Sequence, residues 1–188
     1  MRSTIVIALL ILSVGPASGA ADRWSRALSR GEILVDGRAD KVVVKAVVDA
    51  PPQRVWDLVS RCGRYTRTME RIKAAQELSR DAGRVVCRVT VDMPFPYADL
   101  TATTRAIHSE DPGHQRFSRR WDQIQGDYKV NRGSWELRPF NGDRGRTLVI
   151  YRVEAVPKAW VPDWIRQKAQ RRSLPQMIKK LRRLAAGA

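Results

Sequence analysis

Arg84–Asp92 reads RVVCRVTVD, and every odd-numbered residue in it is apolar. Apolar side chains at every second position predict a β-strand that turns one face to a core. Similar segments follow, separated by turn residues such as Asp111-Pro112-Gly113. They are Leu100–His108, Gln115–Trp121, Tyr128–Leu137 and Thr147–Val156. Sequential strands with short connections predict an antiparallel meander.

One of these segments, Tyr128–Leu137, changes phase along its length. Tyr128 and Val130 lie on one parity, whereas Trp135 and Leu137 lie on the other. A strand changes the face that it buries at a bulge or a sharp bend. We therefore expect such a feature at Asn131–Gly133, where the glycine weakens the regular strand.

Two strands and a helix precede the meander. Glu32–Val35 and Lys41–Asp49 are strand-like, and Val42, Val44, Ala46 and Val48 share one face of the second. Ala50–Val59 changes to helical spacing and carries prolines that suit an opening turn. A short helical turn at Tyr65–Met69 and a strand at Ile72–Leu78 lead into the meander.

The last 25 or so residues return to helical spacing. Pro162 opens this helix, and an apolar stripe runs from Trp164 to Leu184. Pro175 interrupts the stripe, so we expect it either to kink the helix or to divide it into two pieces. The elements together predict an α+β fold, in which a curved antiparallel sheet packs against a long, kinked C-terminal helix.

The N-terminus has the pattern of a secretory signal peptide. Arg2 is followed by an apolar run, Ile5–Leu12, and by the small residues Ala17–Ala21. The apolar run is far shorter than the ~20 residues of a membrane-spanning helix. The alternative to a cleaved signal peptide is an uncleaved N-terminal anchor. We therefore predict a signal peptide at 1–20, a lead-in at 21–30 and one domain at 31–188, exported to the periplasm.

The chain is strongly basic, with 35 Lys and Arg against 19 Asp and Glu. Loss of Arg2 with the signal peptide leaves a net charge near +15. Such a charge favours anionic partners, whether phospholipid headgroups or nucleic acid. Export and the absence of a localised basic patch with interleaved aromatic residues argue against nucleic acid.

Only two cysteines occur, Cys62 and Cys87. An oxidising compartment permits them to form a disulfide. Cys87 is also in phase with the apolar residues of its strand, so a buried free thiol is the alternative.

Sequence motifs for metal or covalent catalysis are absent. The two histidines, His108 and His114, flank a turn and do not have metal-ligand spacing. We assign no metal ligand and no catalytic residue. Acid–base chemistry inside a cavity requires no linear motif, so an enzyme remains the alternative. Its candidate residues are His108, Arg119, Tyr151 and Asp99.

The inward face of the meander combines small and large side chains. Leu100, Ala102, Thr104 and Ala106 form a mostly small row, and the neighbouring strands contribute aromatic residues. Such a face either interdigitates tightly or leaves an apolar cavity. The predicted cavity residues are Val89, Val91, Ala102, Phe117, Arg119, Trp121, Trp135, Tyr151, Trp164 and Met177.

Arg119 lies in phase between Phe117 and Trp121. If the alternation holds, its guanidinium points at the concave face and requires a carboxylate, carbonyl oxygens or a ligand head as a partner. A one-residue bulge that turns Arg119 or Arg120 to solvent is the alternative.

Met93-Pro94-Phe95-Pro96-Tyr97 connects two strands of the meander with three large apolar side chains. Met93, Phe95 and Tyr97 either fold back over the core as a lid or contact an apolar surface such as a membrane. Basic residues on the C-terminal helix favour an anionic membrane. They are Arg166, Lys168, Arg171, Arg172, Lys179, Lys180, Arg182 and Arg183. The alternative is an ordinary solvated helix face.

Five motifs in this order resemble the START and polyketide-cyclase-like (SRPBCC) superfamily over about residues 31–185. They are Ala50-Pro51-Pro52-x-x-Val55-Trp56, Met93-Pro94-Phe95-Pro96, Gly126-Asp127-Tyr128-x-x-Asn131-x-Gly133-x-Trp135-x-Leu137, Thr147-x-Val149-x-Tyr151 and Leu174-Pro175-x-Met177-Ile178-x-x-Leu181. Within the superfamily the chain is most similar to bacterial coenzyme-Q-binding START proteins.

The resemblance implies a helix-grip fold, in which a lipid, quinone, sterol or polyketide-like ligand lies between the sheet and the C-terminal helix. It brings no cofactor and no fixed catalytic residue, since the superfamily holds both carriers and enzymes. We expect non-catalytic binding or transfer of a hydrophobic small molecule by a monomer. A cyclase, dehydratase or hydrolase acting in the same cavity is the alternative.

Overall fold

The computed structural model of the protein describes residues 17–38 and 40–187. Most of the predicted signal peptide therefore lies outside the described residues. The strands are β1 (Leu34–Arg38), β2 (Lys41–Val48), β3 (Ile72–Asp81), β4 (Arg84–Val91), β5 (Leu100–Asp111), β6 (Arg116–Gly126), β7 (Tyr128–Phe140) and β8 (Asp143–Pro157). The helices are α1 (Ala17–Ser29), α2 (Pro52–Val59), α3 (Tyr65–Thr68) and α4 (Asp163–Ala186), and a 3₁₀ turn spans Cys62–Arg64.

The eight strands form one antiparallel sheet in the order β1-β2-β8-β7-β6-β5-β4-β3. The predicted meander is thus confirmed for β3 to β8, and most of its strands extend beyond the predicted ends. The early strand β2 pairs with the last strand, β8, and Val44 lies opposite Tyr151. The chain between β2 and β3, which contains α2 and α3, crosses the concave face from one half of the sheet to the other.

The phase change in β7 has a different position from the predicted one. The register with β8 shifts between Tyr128 and Val130, so the bulge lies at Lys129 and the prediction of Asn131–Gly133 was wrong. Gly133 has a steric role instead. A Cβ atom there would lie 2.4 Å from a ring carbon of Trp121, so glycine leaves room for that indole.

The main core lies between the concave face of the sheet and the helices α2 and α4. The predicted face of β2, from Val42 to Val48, is buried in it. The predicted row of β5 is also buried, but Ala106 packs beside the two cysteines, and Leu100 and Ala102 pack with Tyr128. Trp56 of α2 stacks on Phe117 with ring centroids 5.6 Å apart. From α4 the core receives Leu174, Met177, Ile178, Leu181 and Ala185. The Leu, Met and Ile side chains among these contribute roughly 1.5–3 kcal/mol each when fully buried.

A second, smaller core lies on the opposite face of the sheet. Leu28 of α1 is fully buried there against Val47, Leu148 and Ile150. Alternate residues of β2 therefore face two different cores, which explains its nearly unbroken run of valines. The segment 21–30, to which the sequence analysis gave no element, thus lies almost wholly in a helix that packs on the sheet.

α4 runs without interruption through Pro175, so the alternative of two separate pieces is wrong. Two of its basic side chains bind main-chain carbonyl groups. Lys180 Nζ donates to the Met69 carbonyl at 2.8 Å, and Arg182 Nε donates to the Val47 carbonyl at 2.9 Å. Lys180 and Arg182 therefore attach α4 to the rest of the fold, and their predicted place on a free outer face was wrong.

Cys62 and Cys87 form a disulfide bond in the structure. Of the two alternatives left open by the sequence, the structure therefore has the paired one. The bond joins the 3₁₀ turn after α2 to the middle of β4, and both residues are fully buried beside Val85 and Ala106. It fixes the crossing segment to the far half of the sheet.

We expect the double variant Cys62→Ala/Cys87→Ala to lose about 3 kcal/mol of unfolding free energy, because the cross-link restricts the unfolded chain over 25 residues of sequence separation. Urea denaturation with and without reductant measures the effect. Reductant should lower the midpoint of the wild-type protein and leave that of the variant unchanged. A wild-type midpoint that ignores the reductant would contradict the pairing.

Candidate functional site

A cavity of about 290 Å³ lies between α4, the turn from α3 to β3 and the concave faces of β4 to β8. Apolar and aromatic side chains form most of its wall. The lining residues are Tyr65, Met69, Glu70, Arg71, Ile72, Val89, Val91, Asp92, Met93, Pro94, Ala102, Thr104, Arg119, Trp121, Tyr128, Asn131, Trp135, Tyr151, Val153, Ala155, Ser173, Leu174 and Met177. The volume is near the lower end of the ~300–1,000 Å³ typical of small-molecule pockets.

Three aromatic rings form one wall of the cavity. Tyr151 lies 4.4 Å from Trp135 and 5.9 Å from Trp121 between ring centroids. Trp121 is fixed further, because its Nε1 donates a hydrogen bond to Asn131 Oδ1 at 3.2 Å and Gly133 leaves space for its ring. The small side chains of Ala102 and Thr104 on β5 also line the cavity. The wall thus combines large, fixed aromatic rings with small side chains.

Arg119 lies at the inner end of the cavity and is only 3% exposed. The alternation predicted from the sequence therefore holds, and the alternative of a bulge was wrong. Its Nη1 donates to the Ser60 carbonyl at 3.5 Å and to His108 Nε2 at 3.3 Å, and its Nη2 donates to Cys87 Sγ at 3.5 Å. The guanidinium also lies 5.6 Å from the centre of the Tyr65 ring. These contacts are long and involve no carboxylate.

The surroundings of Arg119 are electropositive. Burial lowers the pKa of His108 to about 4, and the charges of Arg119 and Arg80 add to the effect. His108 is therefore neutral at neutral pH. Since a guanidinium only donates, His108 Nε2 must accept, and the proton lies on Nδ1, which has no hydrogen-bond partner among the described residues.

The cavity opens between the turn after α3, the loop from β4 to β5 and the middle of α4. Its rim is polar and charged, with Glu70, Arg71, Asp92 and Ser173. Arg71 binds the main-chain carbonyl and the carboxylate of Asp92, the latter at 3.0 Å. The charged residues of the rim thus connect neighbouring elements around an apolar interior.

Eight of the ten predicted cavity residues line this cavity; Phe117 and Trp164 are not part of its described wall. Phe117 has the predicted inward orientation, but Trp56 of α2 covers it. Trp164 is 64% exposed, because the first turns of α4 do not bury their side chains against the sheet. Sequence reasoning missed Met69 and Ile72, whose place depends on how the crossing segment docks.

The residues considered for catalysis are divided by the structure. Arg119 and Tyr151 line the cavity, and burial raises the pKa of Tyr151, so its hydroxyl group stays protonated. His108 lies behind Arg119 and Asp99 pairs with Lys73 Nζ at 2.5 Å; neither contributes to the described wall. Within residues 17–38 and 40–187, no group of three potential metal-ligand side chains occurs.

Three large aromatic side chains are exposed at one end of the molecule. Phe95 is 97% exposed, so it does not fold back as a lid, although Met93 lines the cavity and Tyr97 is half-buried. The others are Trp160, 81% exposed, and Trp164. The Lys158 amide binds the Asp127 carbonyl beside Tyr128, which packs on Met93 and Leu100. The loop from β4 to β5 and the connection from β8 to α4 therefore lie at the same end of the sheet.

Residues 48–182, more than two thirds of the chain, match the family described as polyketide cyclase / dehydrase and lipid transport. No curated protein matches the sequence significantly.

Solved structures share the fold at low sequence identity. A STAR-related lipid transfer protein from Xanthomonas axonopodis is 15% identical with a TM-score of 0.68, over 82% of this chain and 91% of that one. Human StAR-related lipid transfer protein 5 is 11% identical with a TM-score of 0.67, over 90% and 98%. The Zhui aromatase/cyclase from Streptomyces is 17% identical with a TM-score of 0.57, over 78% and 91%. These likenesses place the sheet and helix in the helix-grip arrangement.

We expect Ala102→Trp to fill the cavity and to weaken binding of an apolar fluorescent probe by about tenfold or more, since an indole occupies the space that the small row leaves. Titration with Nile red measures the affinity, and circular dichroism checks the fold. Arg105→Trp, which places the same ring on the exposed side of the same strand, is the control. Equal affinity of a folded Ala102→Trp protein and the control would place the binding site elsewhere.

Proposed function

The chain belongs to the polyketide cyclase / dehydrase and lipid transport family, and from that premise we propose that it binds a hydrophobic small molecule in the cavity and carries it chemically unchanged. The observation that supports this most strongly is the composition of the cavity wall. Aromatic rings, methionines and small aliphatic side chains line the cavity beside α4, and at its opening Arg71 binds Asp92 while Glu70 pairs with Lys180. Such a wall favours an apolar ligand, because burial contributes ~25 cal/mol for each Å² of apolar surface.

A catalytic role in the same cavity is the second candidate, and Arg119 with Tyr151 is the observation that favours it. A protonated phenol and a guanidinium can both donate hydrogen bonds to a carbonyl group of a substrate. Neither acts as a base at neutral pH, and the neutral imidazole of His108 lies behind Arg119. The inner part of the described wall therefore offers polarisation of a substrate, whereas the carboxylates of the wall, Glu70 and Asp92, lie at the rim and pair with Lys180 and Arg71. Binding without conversion fits this wall better.

We further propose that the protein works after export, in the periplasm and as a monomer. The N-terminal pattern of residues 1–20 supports export, and the disulfide between Cys62 and Cys87 fits an oxidising compartment. Lipids, quinones and polyketide-like molecules are the ligand classes in question; a coenzyme-Q-like quinone is among them.

Transfer requires that the cavity open near a membrane, and we propose that the exposed aromatic residues Phe95, Trp160 and Trp164 contact the bilayer. They surround the end of the sheet at which Met93 lines the cavity. Large exposed aromatic side chains at one site are typical of contact with an apolar or interfacial surface. Among the described residues, no helix is long and apolar enough to span a bilayer.

The basic side chains of α4 support contact with an anionic membrane, although fewer of them are free on the surface than the sequence predicted. Lys180 and Arg182 bind main-chain carbonyl groups, and Arg166 pairs with Asp163. Lys168, Arg171, Arg172, Lys179 and Arg183 remain exposed. Basic residues close to an anionic surface contribute about 1 kcal/mol each before screening by salt.

Extraction of protein from its native periplasm tests the carrier function. We expect native mass spectrometry to show one apolar molecule bound per chain. When this molecule is extracted into organic solvent and incubated again with the protein, we expect its mass to stay unchanged. Ala102→Trp protein prepared in parallel should carry none. A ligand that the protein converts to a product, with conversion lost in Tyr151→Phe, would support the enzyme instead.

Co-sedimentation with liposomes tests the membrane contact. Binding should rise with the fraction of anionic lipid, fall with salt, and decrease about tenfold or more in Phe95→Ser/Trp164→Ser, since both lost side chains would insert at the interface. Ile107→Ser removes an exposed apolar side chain near the opposite end of the sheet and serves as the control. If wild-type protein ignores anionic liposomes at low salt, the proposed contact is wrong.

A further inference from the structure

Arg119 has more hydrogen-bond donors than the protein satisfies. A guanidinium carries five N–H groups. Three acceptors lie within hydrogen-bond distance among the described residues, at 3.3 to 3.5 Å, so two N–H groups lack a partner there. The side chain is 3% exposed and lines the cavity. A buried group of this kind requires a partner from the cavity itself.

The charge of Arg119 is also uncompensated. No carboxylate of the described residues lies within 4.0 Å of it. Glu77 is the acidic side chain whose pKa Arg119 influences, but both oxygens of Glu77 bind Arg80, at 2.7 and 2.8 Å. The neutral state of His108 agrees with a positive potential at this end of the cavity. A buried charge without a counter-ion is costly, and an anion in the cavity removes that cost.

The other charged residues of the wall, Glu70, Arg71 and Asp92, are at the rim. The Arg119 guanidinium lies beside Cys87, which pairs with Thr104 on β5, two positions along that strand from Ala102. Between the inner end and the rim the wall is mostly aromatic and aliphatic. The cavity therefore has one cation at its closed end and apolar walls in front of it.

We infer that the ligand is an anionic amphiphile, with a single carboxylate or phosphate head that binds the Arg119 guanidinium and an apolar body that extends along the Trp121–Tyr151 wall towards the rim. This inference rests on the proposed function. A neutral carbonyl group, such as that of a quinone, would accept one of the free N–H groups but would leave the charge of Arg119 uncompensated. An anion satisfies both requirements, and the planar guanidinium suits a bidentate contact with two oxygens.

Displacement of Nile red by three ligands with the same dodecyl tail tests the inference. Dodecanoate and dodecyl phosphate carry the two anionic heads, and dodecanol carries a neutral one. Wild-type protein should bind at least one of the two anionic ligands about tenfold or more tightly than dodecanol. The comparison of the two anions shows which head the site takes.

Arg119→Met removes the cation, and Arg120→Met removes the next guanidinium, which is exposed on the other face of β6. The ratio of the dodecanol Kd to the anion Kd should fall about tenfold in Arg119→Met and stay at the wild-type value in Arg120→Met. Without ligand, the Tm of Arg119→Met should exceed that of wild type, because an uncompensated buried charge is gone. If Arg119→Met does not fold, Arg119→Lys is the substitute variant, because it keeps the positive charge but lacks the planar guanidinium. Its ratio of the dodecanol Kd to the anion Kd should lie between those of wild type and Arg120→Met on one side and a variant without the cation on the other.

Equal affinity of wild-type protein for all three ligands overturns the inference, as does an unchanged ratio in Arg119→Met. In either case, displacement of Nile red by dodecanol would still support the proposed binding of a hydrophobic molecule in the cavity. Failure of wild-type protein to bind Nile red or any dodecyl ligand would overturn the proposed function together with the inference.

Discussion

The packing of α4 against the concave face of the sheet is the interaction on which the rest of the structure depends. None of the side chains described in its first ten residues is buried, whereas Leu174, Met177, Ile178 and Leu181 are. The change falls next to Pro175, whose ring removes one main-chain hydrogen bond from the helix. One half of the helix thus closes the core, and the cavity begins beside Ser173–Met177, where close packing ends.

The inner end of the cavity depends on the segment that crosses between the two halves of the sheet. Ser60 at the end of α2 accepts a bond from Arg119, and the disulfide from Cys62 to Cys87 brings a second acceptor to the same guanidinium. Tyr65, which follows, donates its hydroxyl to the Val59 carbonyl at 2.6 Å and places its ring near the cation. Arg119 is therefore held in position before a ligand arrives, which reduces the entropy lost on binding.

Much of this arrangement follows from periodicity in the sequence. Alternation along β4, β5 and β6 identifies the inward side chains, and it places Arg119 among them correctly. Alternation cannot show which inward residues face a cavity and which are covered. Phe117 and Trp121 share a parity, but Trp56, distant in sequence, covers only the first. Similarly, the apolar stripe of α4 does not show where the helix leaves the sheet, and Trp164 was misplaced for that reason.

Two further features were beyond sequence reasoning for identifiable reasons. Ala17–Ala20 has the small residues of a cleavage zone, which concealed the start of α1, and the buried contact of Leu28 depends on a face of the sheet formed much later in the chain. The bulge at Lys129 was placed near Gly133 because glycine is common at bulges. Here the glycine accommodates the Trp121 ring instead.

The methionines offer the most direct test of the claim that a ligand occupies this cavity. Of the four in the chain, Met69, Met93 and Met177 line it from three different elements, and the fourth is Met1. In a ¹³C-methyl NMR spectrum, the account predicts that dodecanoate shifts the three lining methyl signals together and that the shifts saturate at one equivalent. Displacement of Nile red by dodecanoate without shifts at Met69 and Met177 would contradict it.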